Sequence, residues 1–282
     1  RGVFNLVHGL GPEVGQAILE HTGIKAISFT GGTDTGRIVA RTAAPLFKKL
    51  SLELGGKNAT VVFQDANMET AIDGAVRAAF TNSGQVCLCG SRIFIEESIA
   101  EQFTQKFVEK VNSIQIGDPM DEDTEMGTVI SSEHLEKVES YIELAQQEGG
   151  VILTGGTREM TGYAGPNGIG AFLRPTVVAN LPYNARCATE EIFGPMVTLH
   201  TFTSESEVLE MVNSSEYGLA GSVWTADTIR GRRFASQIDS GIVWVNTWLH
   251  RDLRTPFGGV KNSGVGREGG QWSLDFFSEL TN

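Results

Sequence analysis

Cys87 lies in the segment Asn82-Ser83-Gly84-Gln85-Val86-Cys87-Leu88-Cys89-Gly90-Ser91-Arg92, a Gly-bearing loop between a helical and a strand-like stretch. A thiol at the end of such a loop can be reached by a small molecule, and its thiolate is a nucleophile for a carbonyl carbon. The plain alternative is that Cys87 is a small buried hydrophobe. Cys89 is close enough to suggest a pair of metal ligands, but no second Cys pair and no cluster of His follows, so no metal site is expected.

A second candidate is Glu53, in Leu52-Glu53-Leu54-Gly55-Gly56-Lys57-Asn58. A carboxyl at the end of an apolar strand has a raised pKa and can serve as a general base near neutral pH. A solvated or Lys-paired Glu is the alternative. Two further segments could touch a cofactor. Glu190-Glu191-Ile192-Phe193-Gly194-Pro195 sets paired acids before an aromatic residue and a turn, although a helix first turn reads the same way. Phe29-Thr30-Gly31-Gly32-Thr33-Asp34-Thr35-Gly36 follows a strand and precedes the helix-like stretch 37–44. Backbone N–H groups there could face a dinucleotide phosphate at a helix N-terminus, although the glycines do not follow the GxGxxG spacing.

The elements that must carry these residues alternate between strand and helix. Strand-like runs are expected at 24–29, 59–63, 93–96, 151–154, 196–202, 221–225 and 241–246, with another at 276–280. Helical spacing marks 68–80, through Met68, Ala71, Ile72, Ala75, Val76 and Ala79. It also marks a helix opened by a Ser98/Glu101 capping box, one over 132–148 that stops at Gly149-Gly150, and one opened by Ser204 and Glu207. Alternation of this kind argues for α/β layers with a mainly parallel sheet. The stretch 155–170, rich in Gly, Thr and Pro, reads as a surface loop.

Composition sets the outer limits. The 282 residues carry 22 Lys+Arg against 34 Asp+Glu, a net charge of −12, which argues against a nucleic-acid groove or an anionic membrane surface. Hydrophobic residues make up 40%, and no apolar run approaches the roughly 20 residues that span a bilayer. Three Cys cannot form a disulfide scaffold and suit a reducing compartment. The 34 Gly, above the usual share of about 7%, fall in GG and GxG clusters that suit tight turns and backbone close to a ligand. The sequence enters mid-pattern at Arg1 and is expected to be part of a longer chain.

Each signal is weak alone, but their order is specific. Phe29-Thr30-Gly31-Gly32-Thr33, Leu52-Glu53-Leu54-Gly55-Gly56-Lys57-Asn58, Gly84-Gln85-x-Cys87 and Glu190-Glu191-Ile192-Phe193-Gly194-Pro195 come first. Pro256-Phe257-Gly258-Gly259-x-Lys261-x-Ser263-Gly264-x-Gly266-Arg267-Glu268 follows. Together they resemble the NAD(P)-dependent aldehyde dehydrogenase superfamily, over essentially the whole sequence and over about the C-terminal three-fifths of a full-length member.

The resemblance implies an aldehyde dehydrogenase-like α/β fold: part of a Rossmann-type cofactor domain at 1–55, a catalytic domain with a mainly parallel sheet at 56–262, and a C-terminal segment at 263–282 returning to the cofactor and oligomerisation region. It implies Cys87 as the nucleophile that forms a thiohemiacetal and then a thioester, its backbone N–H as an oxyanion donor, and Glu53 as the base that activates water, with deprotonation of Cys87 by Glu53 left open. Gly31, Gly32, Gly36 and Leu54 would line the cofactor site, with NAD as cofactor and NADP left open. Glu191 would hold the nicotinamide ribose and Phe193 would lie beside the nicotinamide. Lys137 would contact a ribose, or simply be a solvated helix residue. The family usually has Ser where this chain has Gly32. Homo-oligomerisation of the full-length form and a cytoplasmic location are expected on the same ground.

Trp248 and Phe257 fall where the family builds its substrate funnel, and Arg251 and Arg254 stand nearby. An Arg in an aromatic funnel suits a carboxylate, so Arg251 is expected to anchor an acidic substrate. Pairing of either Arg with Asp252 is the alternative. This pattern resembles the 2-aminomuconic and 2-hydroxymuconic semialdehyde dehydrogenase branch and implies oxidation of a carboxylate-bearing semialdehyde. Two other readings remain: a truncated, catalytically defective chain that binds part of a nucleotide or pairs with a full-length partner, and a CoA-acylating or phosphorylating relative. The family's region before Arg1 holds an oxyanion-hole Asn and a ribose-binding Lys. The 282 residues alone are therefore expected to be poorly active or unstable.

Overall fold

The computed structural model describes residues 2–159 and 170–281. Of the loop expected at 155–170, residues 160–169 lie outside the described residues. The chain divides into two compact units, one of Arg1–Gly55 with Arg251–Asn282 and the other of Gly56–His250.

In the first unit a helical turn at Gly11–Gly15 leads into α1, Gln16–Glu20. Strand β1, Ala26–Thr30, is followed by α2, Thr33–Ala43, and by β2, Lys49–Glu53. β1 and β2 run parallel, and β2 also pairs antiparallel with Gly264–Val265 near the C-terminus. Leu19, Ile27, Val39, Leu52 and Leu54 form the small core. The family reading places the second boundary after 262. In the structure residues from 251 onward already belong to this unit, where Phe257 and Glu268 exchange backbone hydrogen bonds.

The second unit begins with β3, Ala59–Val62, and α3, Met68–Phe80, the helix that the 3.6-residue spacing predicts, capped by Asn67. Then come β4, Arg92–Glu96, and α4, Glu97–Asn112. The expected Ser98/Glu101 capping box is absent: the helix starts two residues earlier, with Glu96 as its N-cap, and Ser98 Oγ donates instead to Gln64 Oε1 at 3.1 Å. α5, Ser132–Gln147, is capped by Ser131 and followed by Gly149 at φ +89°. β5, Val151–Thr154, β6, Thr176–Ala179, α6, Arg186–Thr189, and β7, Met196–Phe202, follow. α7, Glu205–Asn213, opens on Ser204, whose Oγ accepts the Glu207 N–H while the Glu207 carboxylate accepts the Thr203 N–H. β8, Tyr217–Gly218, β9, Ala220–Trp224, α8, Thr228–Ala235, and β10, Ile242–Val245, complete the unit.

Its central sheet has the order β10-β9-β3-β4-β7-β6-β5 and is parallel except for the β5–β6 pair. Alternate strand residues face opposite layers, as the two-residue period requires. Val62, Ile93 and Ile95 pack with α3 and α4, whereas Val61, Phe94 and Val223 pack with Val208 of α7 and Phe234 of α8. α5 covers a third cluster through Val138 and Ile142. Back in the first unit, β11, Val260–Lys261, and β12, Gly264–Val265, precede α9, Gly270–Phe277. The strand expected at 276–280 is therefore not formed. Phe276 and Phe277 end a helix whose start is fixed by the Gly269 N–H donating to Ser273 Oγ at 2.8 Å.

Candidate active site

The Cys87 loop is shaped by three successive left-handed residues after α3: Asn82, Ser83 and Gly84, at φ 53°, 56° and 71°. They turn the chain sharply, and Gly84 passes so close to Gly194 and Pro195 that a Cβ would lie 2.9 Å from the Pro195 nitrogen. Beyond the turn, the Cys89 N–H donates to the Val86 carbonyl at 2.9 Å. Trp248 Nε1 donates to the Leu88 carbonyl at 3.1 Å, and Asn58 Nδ2 reaches the carbonyls of Cys87 and Cys89. None of the three cysteines is in a disulfide. Cys87 is half-buried, whereas Cys89 and Cys187 are buried and burial pushes both thiols up to about 12. Of the three, Cys87 is the thiol that a small electrophile can approach. Among the described residues no group of three or more His, Cys, Asp or Glu could hold a metal ion.

Glu53 ends β2 in the first unit and is 4% exposed. Flanking Leu52 and Leu54 turn into the core, so strand alternation leaves Glu53 on the other face. Among the described residues neither of its carboxylate oxygens has a hydrogen-bond partner. Burial, with a smaller contribution from the neighbouring Glu268 carboxylate, raises it to about 8 against the pull of Arg267 and Arg251. A Cβ on Gly258 would come 2.8 Å from Glu53 Oε1, so the backbone approach here needs glycine. A buried carboxyl tuned to about 8 is a competent general base for water. Glu268 and Arg267 lie in the last of the sequence motifs, yet the sequence reading gives them no role; their proximity to Glu53 comes from the β2–β12 pairing.

Glu190 and Glu191 part company in the structure. Glu190 follows α6 and is held by Arg186 at 2.7 Å and by Tyr141 Oη at 2.7 Å, a structural role. Glu191 turns the other way, its Oε1 accepting the Gly56 N–H at 3.1 Å, and burial raises its pKa. α5 supports this loop: Lys137 Nζ approaches the Glu191 carbonyl at 3.5 Å, and His134 Nε2 lies 2.6 Å from the Phe193 carbonyl. Phe193 itself is left-handed, at φ 63°.

In the first unit Gly32 is the N-cap of α2 and provides no side-chain cap for the N–H groups of the first turn, which have no partner within the helix. A Cβ at Gly32 would meet nothing within 4 Å. Gly31 differs, because its N–H is used by the Glu53 carbonyl at 3.0 Å. Gly36 lets α2 pack on Leu54, since a Cβ would come 2.5 Å from Leu54 Cδ2. The N-terminal turn of a helix can receive an anion such as a phosphate.

The two arginines also separate. Arg254 is tied to Asp252 through Nε at 2.9 Å and Nη2 at 2.6 Å. Arg251 is exposed, its guanidinium 4.0 Å from the Phe257 ring centroid. Trp248 is 4% exposed and supports the Cys87 loop through the Leu88 carbonyl.

The whole chain, residues 1–282, matches the aldehyde dehydrogenase family. It is 50% identical over its full length to 2-aminomuconic 6-semialdehyde dehydrogenase of a Pseudomonas species, covering 57% of that protein. It is 46% identical to 2-hydroxymuconic semialdehyde dehydrogenase of Pseudomonas sp. strain CF600, covering 58% of it. Among solved structures, HpcC from Thermus thermophilus superposes with a TM-score of 0.95 at 43% identity, over 99% of this chain and 54% of that one. Betaine aldehyde dehydrogenase from Staphylococcus aureus, solved with NAD+, gives a TM-score of 0.90 at 40% identity, over 95% of this chain and 52% of that one. The chain belongs to the aldehyde dehydrogenase family. It spans somewhat over half the length of the relatives it matches.

Proposed function

We propose that the protein carrying this chain oxidises a carboxylate-bearing semialdehyde, such as 2-aminomuconate semialdehyde, to the acid with NAD as cofactor. The Cys87 thiolate adds to the aldehyde carbon, and the carbonyl oxygen becomes an oxyanion received by the Cys87 N–H. Loss of hydride from this carbon leaves a Cys87 thioester, and NAD, when bound, would supply the hydride acceptor. Glu53 takes a proton from water, the oxygen adds to the thioester carbon, and the thiolate leaves with the acid. The first turn of α2 with Gly31, Gly32, Gly36 and Leu54 would hold the phosphate side of the cofactor. Lys137, Glu191 and Phe193 would hold its nicotinamide end. Arg251 would take the remote carboxylate, with Phe257 and Trp248 as apolar walls.

The observation that carries the reading is Glu53, a buried carboxyl with no hydrogen-bond partner among the described residues. Such a group destabilises a fold and is kept where chemistry uses it. A Glu53→Gln variant that still forms the acid at the wild-type rate would refute it. A homo-oligomer in a reducing, cytoplasmic setting suits the reading; among the described residues no helix is long and apolar enough to cross a membrane.

A second reading is that these 282 residues alone are catalytically defective and bind only part of a nucleotide or pair with a longer partner. It is favoured by exposed apolar side chains in the first unit, including Phe4 at 86% and Phe47 at 96%. Assaying NAD reduction by these residues alone, against the intact protein, separates the two.

A further inference from the structure

Asn58 closes the Glu53 motif, and the sequence reading assigns it no chemistry. It immediately precedes β3 and is 4% exposed. Its Nδ2 donates to the Cys87 carbonyl at 2.7 Å and to the Cys89 carbonyl at 2.9 Å. Its Oδ1 accepts the Ala220 N–H at 3.0 Å, and its backbone carbonyl accepts the Arg92 N–H at 3.2 Å. These partners set the amide's orientation, since only the NH2 can face two carbonyls and only the oxygen can face an N–H. Ala220 and Arg92 open β9 and β4, the strands on either side of β3. Asn58 is thus anchored to three adjacent strands and holds a loop with its remaining two hydrogens.

Cys87 is the residue whose geometry this clamp decides. The peptide before it is fixed because the Val86 carbonyl accepts the Cys89 N–H at 2.9 Å. In a trans peptide the Cys87 N–H lies on the opposite edge, so its direction is fixed as well. The peptide after Cys87 is fixed by Asn58, and the next by Trp248 on the Leu88 carbonyl. With the planes on both sides of its Cα held, the φ and ψ of Cys87 are set, and with them the direction of the Cα–Cβ bond that carries the thiol. Gly56 leaves room for this arrangement: a Cβ there would lie 2.7 Å from the Cys87 carbonyl oxygen and 2.9 Å from Asn58 Oδ1.

We infer that Asn58 is a positioning residue for the nucleophile, holding the peptide after Cys87 and so the backbone that presents the Cys87 thiol for addition to the aldehyde, while taking no part in hydrolysis. The inference rests on the assignment of Cys87 as nucleophile made above.

The test uses the intact protein carrying these 282 residues. Asn58→Asp keeps the size and the acceptor for Ala220 but sets a carboxylate oxygen against two carbonyls. Asn58→Ser keeps one short donor. Three rates are measured: alkylation of Cys87 by iodoacetamide without aldehyde or cofactor, followed by peptide mass spectrometry; the first-turnover burst of NADH; and hydrolysis of the preformed Cys87 thioester across pH. Alkylation and burst are expected to fall roughly 10–100-fold in Asn58→Asp, as for a nucleophile displaced by about 1 Å, and by less in Asn58→Ser. Thioester hydrolysis and its pH midpoint are expected to stay as in wild type. Unchanged alkylation and burst in a folded Asn58→Asp would overturn the inference, as would equal slowing of acylation and hydrolysis. If Asn58→Asp does not fold, Asn58→Ser carries the same comparison. Slowed alkylation in the variants, with no burst from the wild type on any aldehyde, would uphold the clamp and overturn the dehydrogenase reading instead.

Discussion

Gly56 donates its backbone N–H to Glu191 Oε1 at 3.1 Å, across 135 residues of sequence. The same glycine lies against the Cys87 carbonyl, where a Cβ would come 2.7 Å away. One backbone position therefore braces both the nucleophile loop and the acid expected to face the nicotinamide ribose.

Glu191→Gln should weaken the cofactor site specifically. A charge-assisted hydrogen bond contributes about 1.5–3 kcal/mol, so the KM for NAD should rise roughly 10–100-fold with kcat little changed. Burial raises the Glu191 pKa, so in wild type the same KM should also climb as pH falls and the carboxylate takes up a proton. Initial rates at saturating aldehyde across pH measure both. A pH-independent KM, unaltered in the variant, would remove Glu191 from the cofactor site.

Glu53 should leave a mark on stability as well as on rate. Folded Glu53 holds its proton up to about 8, above the ordinary carboxylate value of 4.5. Its contribution to stability is therefore full below pH 4.5 and is lost as pH rises through about 8. Glu53→Gln, always neutral, should match wild type in Tm at low pH and exceed it at pH 9. A Tm difference constant with pH would contradict the burial of this carboxyl.

Arg251→Ala and Arg254→Ala should behave differently, because Arg254 is tied to Asp252 while Arg251 lies over Phe257. Loss of a bidentate carboxylate anchor should lower kcat/KM for an acidic semialdehyde roughly 10–100-fold in Arg251→Ala. A simple aliphatic aldehyde should be little affected, and Arg254→Ala should change neither. Equal losses on both substrates would count against the anchor.

Gly84→Ala should destabilise the second unit. The backbone is at φ +71°, and a Cβ would collide with the Gly194–Pro195 segment. The expected loss is on the order of 1–3 kcal/mol, read as a lower Tm. A Tm equal to wild type would mean that the two loops separate freely.

Much of the fold was legible because local signals were strong. The Met68–Phe80 spacing marked α3, Ser204 with Glu207 marked the cap of α7, and the β-branched runs marked most strands of the sheet. What failed was also local. Ser98 found Gln64 rather than a helix N–H, and the aromatic run near Phe276 suits a helix end as readily as a strand. At the site, Cys87 and Glu53 stood out by their glycine-bearing contexts. The groups that support the Cys87 loop did not, since Asn58 meets Cys89 across 31 residues and Trp248 meets Leu88 across 160. Such pairings are made by sheet order, which periodicity does not encode.

In the proposed reaction Cys87 makes the thioester and Glu53 clears it. The most direct measurement is rapid mixing of the intact Glu53→Gln protein with aldehyde and NAD, followed by mass spectrometry of the Cys87 peptide. The account predicts one NADH formed per site at close to the wild-type burst rate. It then predicts an acyl group that stays on Cys87, with steady turnover down roughly 10²–10⁴-fold. Continued fast turnover with no acyl adduct on Cys87, or loss of the burst itself, would contradict it.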